Sequence, residues 1–232
     1  MSKIICIIPA RKGSKRIKNK NIKIFYGKPI ISQVIQKLKR FKIFDKIYVS
    51  TDCNKIANLA KKHKLEIIKR NKKLSDDYTD TRTVIADAIN KLEKKKIDFD
   101  IVCCIYPTSI FIELKHLKAA EKKLKKNITY VFSAKKFEHS IFRSFHRDSN
   151  DSIKLNFRAN LSVRTQNLRQ NYHDAAQFYL GWKNSWLSKK KVFNNKSDFV
   201  LLSSLASCDI DDYEDLKNAK ILWKIKKINY KQ

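Results

Sequence analysis

The sequence predicts an α/β protein built on a mostly parallel sheet. Short, fully apolar, β-branched runs alternate with amphipathic segments of helical period, and a polar loop follows each apolar run. A chain of 232 residues is long enough to bury one sizeable core. A single domain over residues 1–232, carrying one small insertion, is therefore expected.

Residues 3–9 (KIICIIP) form a continuous β-branched run that stops at proline, the pattern of a strand buried on both faces. Residues 29–41 place Ile30, Ile31, Val34, Ile35 and Leu38 at helical spacing, with Pro29 in a permitted first-turn position. A strand is expected at 46–50 and a helix at 54–64, with Ile56, Leu59 and Ala60 inward. A short strand at 66–68, a helix at 83–92, a buried strand at 101–105 and a helix at 114–124 continue the alternation. A βαβα rhythm implies parallel strands joined by right-handed crossovers. After a strand at 130–134 the rhythm breaks. Residues 135–171 are polar, sprinkled with aromatics and weakly periodic, and read as the insertion. The pattern resumes with a strand at 177–182, a helix near 185–190, a strand at 199–202 and a final amphipathic helix at 213–228.

Lys plus Arg number 52 against 22 Asp plus Glu, a net charge of +30 that raises the question of a nucleic-acid partner. The excess is mostly lysine scattered over helix surfaces, and no zinc-finger spacing, RNP-type aromatic motif or basic-region heptad accompanies it. Specific nucleic-acid binding is therefore not expected, although weak, salt-sensitive association with polyanions is. The five cysteines are odd in number, contain no C-x-x-C and sit mostly in apolar runs, as reduced core thiols do. Cys103 and Cys104 would point to opposite faces of a strand, against joint metal ligation. No apolar run reaches the roughly 18 residues of a membrane span, and the N-terminus has no secretory leader pattern. A cytoplasmic location is expected.

Open α/β sheets bind ligands outside the carboxyl ends of their strands, which directs attention to loops 10–21, 51–54, 70–82, 106–111 and 209–212. The first gathers six cations around Gly13 and Ser14. Backbone N–H groups there could wrap phosphate oxygens, while Arg11 and Lys20 supply charge for a triphosphate and a departing pyrophosphate. A merely solvated basic loop is the competing reading. With three glycines in the whole chain, neither G-x-G-x-x-G nor a Walker loop is possible here, which disfavours nicotinamide enzymes and P-loop NTPases. In the segment Cys208-Asp209-Ile210-Asp211-Asp212, an extended backbone brings Asp209 and Asp211 to one face, where they can share a divalent cation. Asp212 before Glu214 and Asp215 also reads as a helix cap, and both roles are compatible. The hydroxyls of Thr108 and Ser109 after Tyr106 suit a polyhydroxyl ligand, or an ordinary turn. His173 beside Asp174 admits a His–Asp dyad, although neighbouring side chains on a strand point apart.

Taken together, IIPARKGSKRIKNKN (7–21), YVSTD (48–52), IYPTS (105–109), YHDAAQFYLG (172–181) and CDIDDYEDL (208–216) resemble the CMP-sugar cytidylyltransferases, the group of the CMP-sialic acid and CMP-Kdo synthetases. The landmarks fall in the family's order over nearly the whole chain. Within the group, SDDYTDT (75–81), CCIYPTS and YHDAAQFY point to the pseudaminic acid branch, with legionaminic and sialic acid enzymes as alternatives. The resemblance implies a Rossmann-like, three-layer fold of the nucleotide-diphospho-sugar transferase type, CTP and an acidic nine-carbon sugar as substrates, and Mg²⁺ as cofactor. It also implies a homodimer whose sites are completed across the interface by the 135–171 segment.

By the same resemblance, Ala10, Arg11, Gly13, Ser14, Asn21, Arg70 and Thr81 would contact the nucleotide. Tyr106, Thr108, Arg164, His173, Gln177 and Tyr179 would contact the sugar, and Asp209 and Asp211 the metal. Arg11, Lys20 and Asp211 would be catalytic, with Asp211 the first candidate for general base, acting through the metal's water. Three departures from the family pattern stand out: Lys12 replaces the first glycine of PARGGSKR, Lys18-Asn19 stands where many relatives carry proline, and Tyr106 holds the place of the sialic acid enzymes' glutamine.

Overall fold

The structure is a computed structural model that describes residues 2–188 and 190–229, with the side chains of 227–229 outside the description. The apolar run near the N-terminus forms β1 (Ile4–Pro9), which is buried along nearly its whole length. A two-stranded ribbon, β2 (Ile24–Phe25) and β3 (Lys28–Pro29), leads into α1 (Ile30–Phe41). Pro29 thus precedes the helix as its N-cap instead of occupying the first turn. Next come β4 (Lys46–Thr51), α2 (Asn54–Lys62), β5 (Glu66–Lys69), α3 (Thr81–Lys94), β6 (Ile101–Ile105) and α4 (Leu114–Lys123). β7 (Tyr130–Lys136) precedes a small hairpin of β8 (Phe145–Arg147) and β9 (Ile153–Leu155). The chain then completes itself with β10 (Tyr172–Trp182), α5 (Lys183–Leu187), β11 (Ser197–Leu201) and α6 (Tyr213–Asn229).

The main sheet has the order β11-β7-β10-β6-β1-β4-β5, parallel throughout except for β10, which runs antiparallel to both neighbours. Strand alternation sorts side chains into two packed layers. Ile4, Cys6 and Ile8 of β1 pack with the inner faces of α1, α2, α4 and α6, while Ile5 and Ile7 pack with α3 and with Trp186 of α5. The result is three layers, helix–sheet–helix, as expected. Cys103 and Cys104 fall in opposite layers.

Where predicted boundaries shift, local chemistry accounts for it. α3 begins at Thr81, two residues early, because Asp80 caps it by accepting the Thr83 N–H at 2.6 Å. α2 stops at Lys62, and Lys64 turns left-handed with φ 59°. The helix expected near 185–190 lies instead at Lys183–Leu187, and Lys189 is outside the described residues. β10 is five residues longer than expected at its start. A bulge between Asp174 and Tyr179, with Ala176 at φ 49°, breaks the two-residue period that would have revealed it. One glycine is dictated by packing: a Cβ on Gly181 would lie 2.6 Å from the Tyr130 ring.

Loops after β1 and β6 leave the sheet in opposite senses, since β1 continues toward β4 and β6 lies on its other side. That reversal opens a crevice at the carboxyl ends of β1 and β6, where such sheets bind ligands.

Candidate active site

A cleft of about 640 Å³ occupies this crevice. Its charged lining is Arg11, Lys15, Arg16, Lys20 and Arg70 against Asp76, Asp77, Asp174, Asp209 and Asp211, five of each sign. In a chain where cations outnumber acids 52 to 22, such balance marks a place to which carboxylates have been specifically drawn.

The loop after β1 is tied down before it reaches the cleft. Ala10 is buried and donates its N–H to Ser50 O at 2.9 Å, and the Lys12 N–H bonds Asp52 Oδ1 at 2.9 Å. Lys12 has no left-handed φ, so a lysine fits where relatives carry glycine. Asn19 does turn left-handed, φ 57°, which a proline locked near about −65° cannot do. That turn starts a short helical stretch, Lys20–Ile22, which buries Asn21 and lets its Nδ2 donate to Arg11 O at 3.0 Å. Gly13 lies outside the cleft lining, as does Ala10, while Ser14 lines it.

Two carboxylates each bridge two loop cations. Asp211 takes Lys20 Nζ on Oδ1 at 2.9 Å and Arg16 Nη2 on Oδ2 at 2.7 Å. Asp77 takes Arg11 Nη1 on Oδ1 at 2.6 Å and Lys15 Nζ on Oδ2 at 2.5 Å. Beside Asp211, burial and then the Asp211 charge push the Asp209 carboxyl up to about 6 against the pull of Lys20. Burial also acts to raise Asp211, but the Lys20 hydrogen bond and the Lys20 and Arg16 charges outweigh it and hold Asp211 low. Asp212 performs the capping role, accepting the N–H groups of Glu214 and Asp215 at 2.9 Å each, and leaves the other two acids to the cleft. Among the described residues no group of three or more His, Cys, Asp or Glu side chains forms a complete metal cage.

Across the cleft, buried Arg70 donates from Nη2 to Ser50 O at 2.9 Å and from Nε to Ser50 Oγ at 3.3 Å. Burial lowers its pKa to about 10, which leaves it charged at neutral pH with further donors available to a ligand. Thr81 Oγ1 and the Tyr106 hydroxyl share a hydrogen bond of 2.6 Å. The Tyr106 and Tyr179 rings meet edge to face at 5.7 Å, and Tyr179 donates its hydroxyl to Asp174 Oδ2. Burial, first of all, drives both phenols well above their ordinary range, so both are neutral. Positions 174 and 179 differ by an odd number and would face opposite ways on a regular strand. The bulge at Ala176 brings them together.

Other predicted residues lie elsewhere. His173 sends Nδ1 to the Asp174 backbone carbonyl at 2.9 Å and lies tilted against the Phe137 ring, so the His–Asp dyad does not form; its ring lines a second, aromatic cavity. Gln177 is fully buried, and its Nε2 donates to Ala175 O within β10 and to Cys208 O at 3.3 Å, tying the strand to the segment before α6. Arg164 is exposed on the arm between β9 and β10. Thr108 is buried at the cleft wall. Sequence reasoning assigned nothing to Lys15, Arg16, Asp76 or Asp77. The acidic run at 75–80 was the available signal, and only the fold reveals which cations it meets.

A family model described as cytidylyltransferase matches residues 5–228. A pseudaminic acid cytidylyltransferase from Campylobacter jejuni is 38% identical over 225 residues, covering 96% of this chain and 97% of its own length. The chain belongs to the cytidylyltransferase family. A second relative, the Helicobacter pylori pseudaminic acid cytidylyltransferase and UDP-2,4-diacetamido-2,4,6-trideoxy-beta-L-altropyranose hydrolase, is 37% identical over 89% of this chain and 40% of the longer protein. Among solved structures, a CMP:2-keto-3-deoxy-manno-octonic acid synthetase complexed with CTP superposes with a TM-score of 0.71 at 13% identity, over 97% of this chain and all of the other. At that identity the likeness concerns fold alone. In this cytidylyltransferase, the loop after β1 and the acids that face it form, with Arg70, the charged lining of the cleft.

Proposed function

We propose that this cytidylyltransferase couples CTP to pseudaminic acid, an acidic nine-carbon sugar, releasing the CMP-sugar and pyrophosphate. The observation that carries the proposal is the meeting of the cationic loop after β1 with the Asp209–Asp211 pair, 38% identity to a curated enzyme of that name giving the sugar. The anomeric hydroxyl oxygen attacks the α-phosphorus in line, forming the new P–O bond. The bond from that phosphorus to the α,β-bridging oxygen breaks, and pyrophosphate leaves with the electron pair. Such a transfer needs positioning and charge neutralisation more than covalent help from the protein. Arg11 and Lys20 hold the β- and γ-phosphates, Asn21 sits beside the nucleotide, and Arg70 and Thr81 offer donors and an acceptor to the base. Tyr106, Thr108 and Tyr179 form the wall nearest the sugar.

Asp209 and Asp211 fit Mg²⁺: both are hard oxygen donors, and the Asp209 carboxyl is raised first by burial and then by the neighbouring Asp211 charge, a pairing that a cation would relieve. The ion, when bound, neutralises phosphate oxygens and eases loss of the hydroxyl proton. Asp211, kept low by Lys20 and Arg16, stays ionised and would hold the ion together with Asp209. The 135–171 segment, with Arg164 upon it, would complete the site of a second copy in a homodimer. No helix among the described residues is long and apolar enough to cross a membrane, in keeping with a cytoplasmic enzyme.

Pyrophosphate release from CTP, measured against pseudaminic, legionaminic and N-acetylneuraminic acids with magnesium, tests the proposal. Turnover with pseudaminic acid well above the other two is expected. Preference for either alternative acid would move the substrate assignment, and no turnover with any would end it.

A further inference from the structure

The two bridging carboxylates of the cleft differ in what surrounds them. Asp211 sits beside Asp209, whereas Asp77 stands on the loop between β5 and α3, next to Asp76, and takes Arg11 at 2.6 Å and Lys15 at 2.5 Å. Arg11 Nη1 is held a second time by the Asp76 backbone carbonyl at 2.9 Å. The loop is pinned around this contact. Asp76 Oδ1 accepts the N–H groups of Tyr78 at 2.9 Å and Thr79 at 2.7 Å, and Asp80 caps α3. The Asp77 carboxylate, with one oxygen on each cation, therefore occupies the donors that a polyphosphate would take.

Three physical facts bear on that coincidence. Arg11 and Lys15 repel one another and need a counter-charge to stay aimed into the cleft. Partly exposed ion pairs are individually weak, so a multiply charged anion displaces them readily. The carboxylate is covalently tethered, so it returns whenever the anion loosens. From these contacts we infer that Asp77 is the counter-anion of the catalytic cycle: it holds Arg11 and Lys15 when no polyphosphate is bound, yields both to the triphosphate, and reclaims them to help expel pyrophosphate. The inference rests on the proposal that this cleft binds CTP through Arg11.

Asp77→Asn keeps the shape of the side chain and removes the competing charge. Titration calorimetry with inorganic pyrophosphate and magnesium chloride should then give a dissociation constant about threefold to tenfold lower than that of the unaltered enzyme, the range that loss of two weak ion pairs allows. Product inhibition by pyrophosphate should strengthen in parallel. Asp76→Asn removes the same charge one residue away and can keep its turn, and it should leave pyrophosphate affinity within about twofold of the starting value. Unchanged or weaker binding by Asp77→Asn overturns the inference, and so does equal tightening by both variants, which would signal a general field. Arg11→Ala separates the two levels of argument. Weakened pyrophosphate and CTP binding in that variant upholds the cleft as the triphosphate site whatever Asp77 does, whereas unchanged binding removes the site and the counter-anion role together.

Discussion

Lys20 and Asp211, 191 positions apart in the chain, meet at 2.9 Å at the rim of the cleft. The contact joins the loop after β1 to the segment before α6, as does Arg16 on the other Asp211 oxygen at 2.7 Å, and in the proposed function it links the phosphate-binding charge to the acids that would hold the metal. Asp211→Ala should cost under about 1 kcal/mol of stability, because the pair is partly exposed. It should nonetheless lower turnover by about 100-fold or more, the scale of losing a preorganised electrostatic partner. Pyrophosphate release and circular dichroism on one preparation check both halves. A folded variant with near-normal turnover would remove Asp211 from the mechanism.

Tyr179 offers a second test. Its hydroxyl ends on Asp174, its ring edge meets Tyr106, and Tyr106 reaches Thr81, so one chain of contacts lines the wall opposite the phosphate loop. Tyr179→Phe leaves Asp174 Oδ2 without its donor, the Ala176 N–H remaining on Oδ1, and should reduce kcat/KM for the sugar acid by about tenfold, the cost of one charge-assisted hydrogen bond. KM for CTP should stay within about twofold if this wall serves the sugar. A rise in KM for CTP alone would transfer these residues to the nucleotide.

How far these sites were legible in the sequence depends on the physics behind each. β1 and β6 announce themselves because burial on both faces demands continuous apolar runs. Arg11, Lys20, Asp209 and Asp211 could be singled out from their residue types and from the loops they occupy, since ligand position in a parallel sheet follows from topology. Their pairing could not, because nothing local records that residue 20 will meet residue 211. Asp77 escaped altogether: an acid in a polar loop looks solvated until Arg11 and Lys15 are brought to it. The start of β10 was hidden for a different reason, the left-handed Ala176 having shifted the alternation on which strands are recognised.

Gly181 concerns stability alone. Its Cβ position lies 2.6 and 2.9 Å from Tyr130 ring carbons and 3.0 Å from Trp186 Nε1. Neither ring can yield cheaply, because Tyr130 donates to Ser185 O at 2.6 Å and Trp186 to Val102 O at 3.1 Å. Gly181→Ala should destabilise by about 1–3 kcal/mol through overpacking. A lower urea midpoint at unchanged slope would establish it; an unaltered midpoint would mean that the layer beneath β10 is looser than these contacts imply.

The β8–β9 hairpin bears on assembly. Its pairing places Phe145, Ile153 and Leu155 on one exposed face, together with Arg147, and His146 and Lys154 on the other. An isolated two-stranded ribbon is marginal in water, and an apolar face on it calls for a cover. If a second copy of the chain provides that cover, Phe145→Glu combined with Ile153→Glu should convert a dimer to a monomer in light scattering. Turnover should fall with dissociation if Arg164, which lies on the same arm and outside its own cleft lining, serves the site of the second copy. A variant that remains dimeric would assign the contact to another surface.

Lys37 supplies a prediction about pH. On α1 its Nζ donates to the Ile110 carbonyl in the loop after β6, and it lies 6.0 Å from the Trp223 ring. Burial, first, and then Lys226 and Arg40 lower its pKa from 10.5 to about 8, with Glu113 opposing. Between these values the unfolded chain binds a proton that the folded chain does not, so the Lys37 contribution to stability must rise as pH climbs from 8 toward 10.5. The upper bound on that rise is about 3 kcal/mol. Below pH 8 both states carry the proton, and the burial penalty is constant. Other lysines and tyrosines also titrate in this window, so the useful quantity is the difference from Lys37→Met. Urea midpoints of the two proteins, compared at several pH values from 7 to 10.5, should move apart in favour of the unaltered chain only above pH 8. Parallel curves would mean that the amine keeps its ordinary affinity for a proton, and that water reaches it beside Ile110.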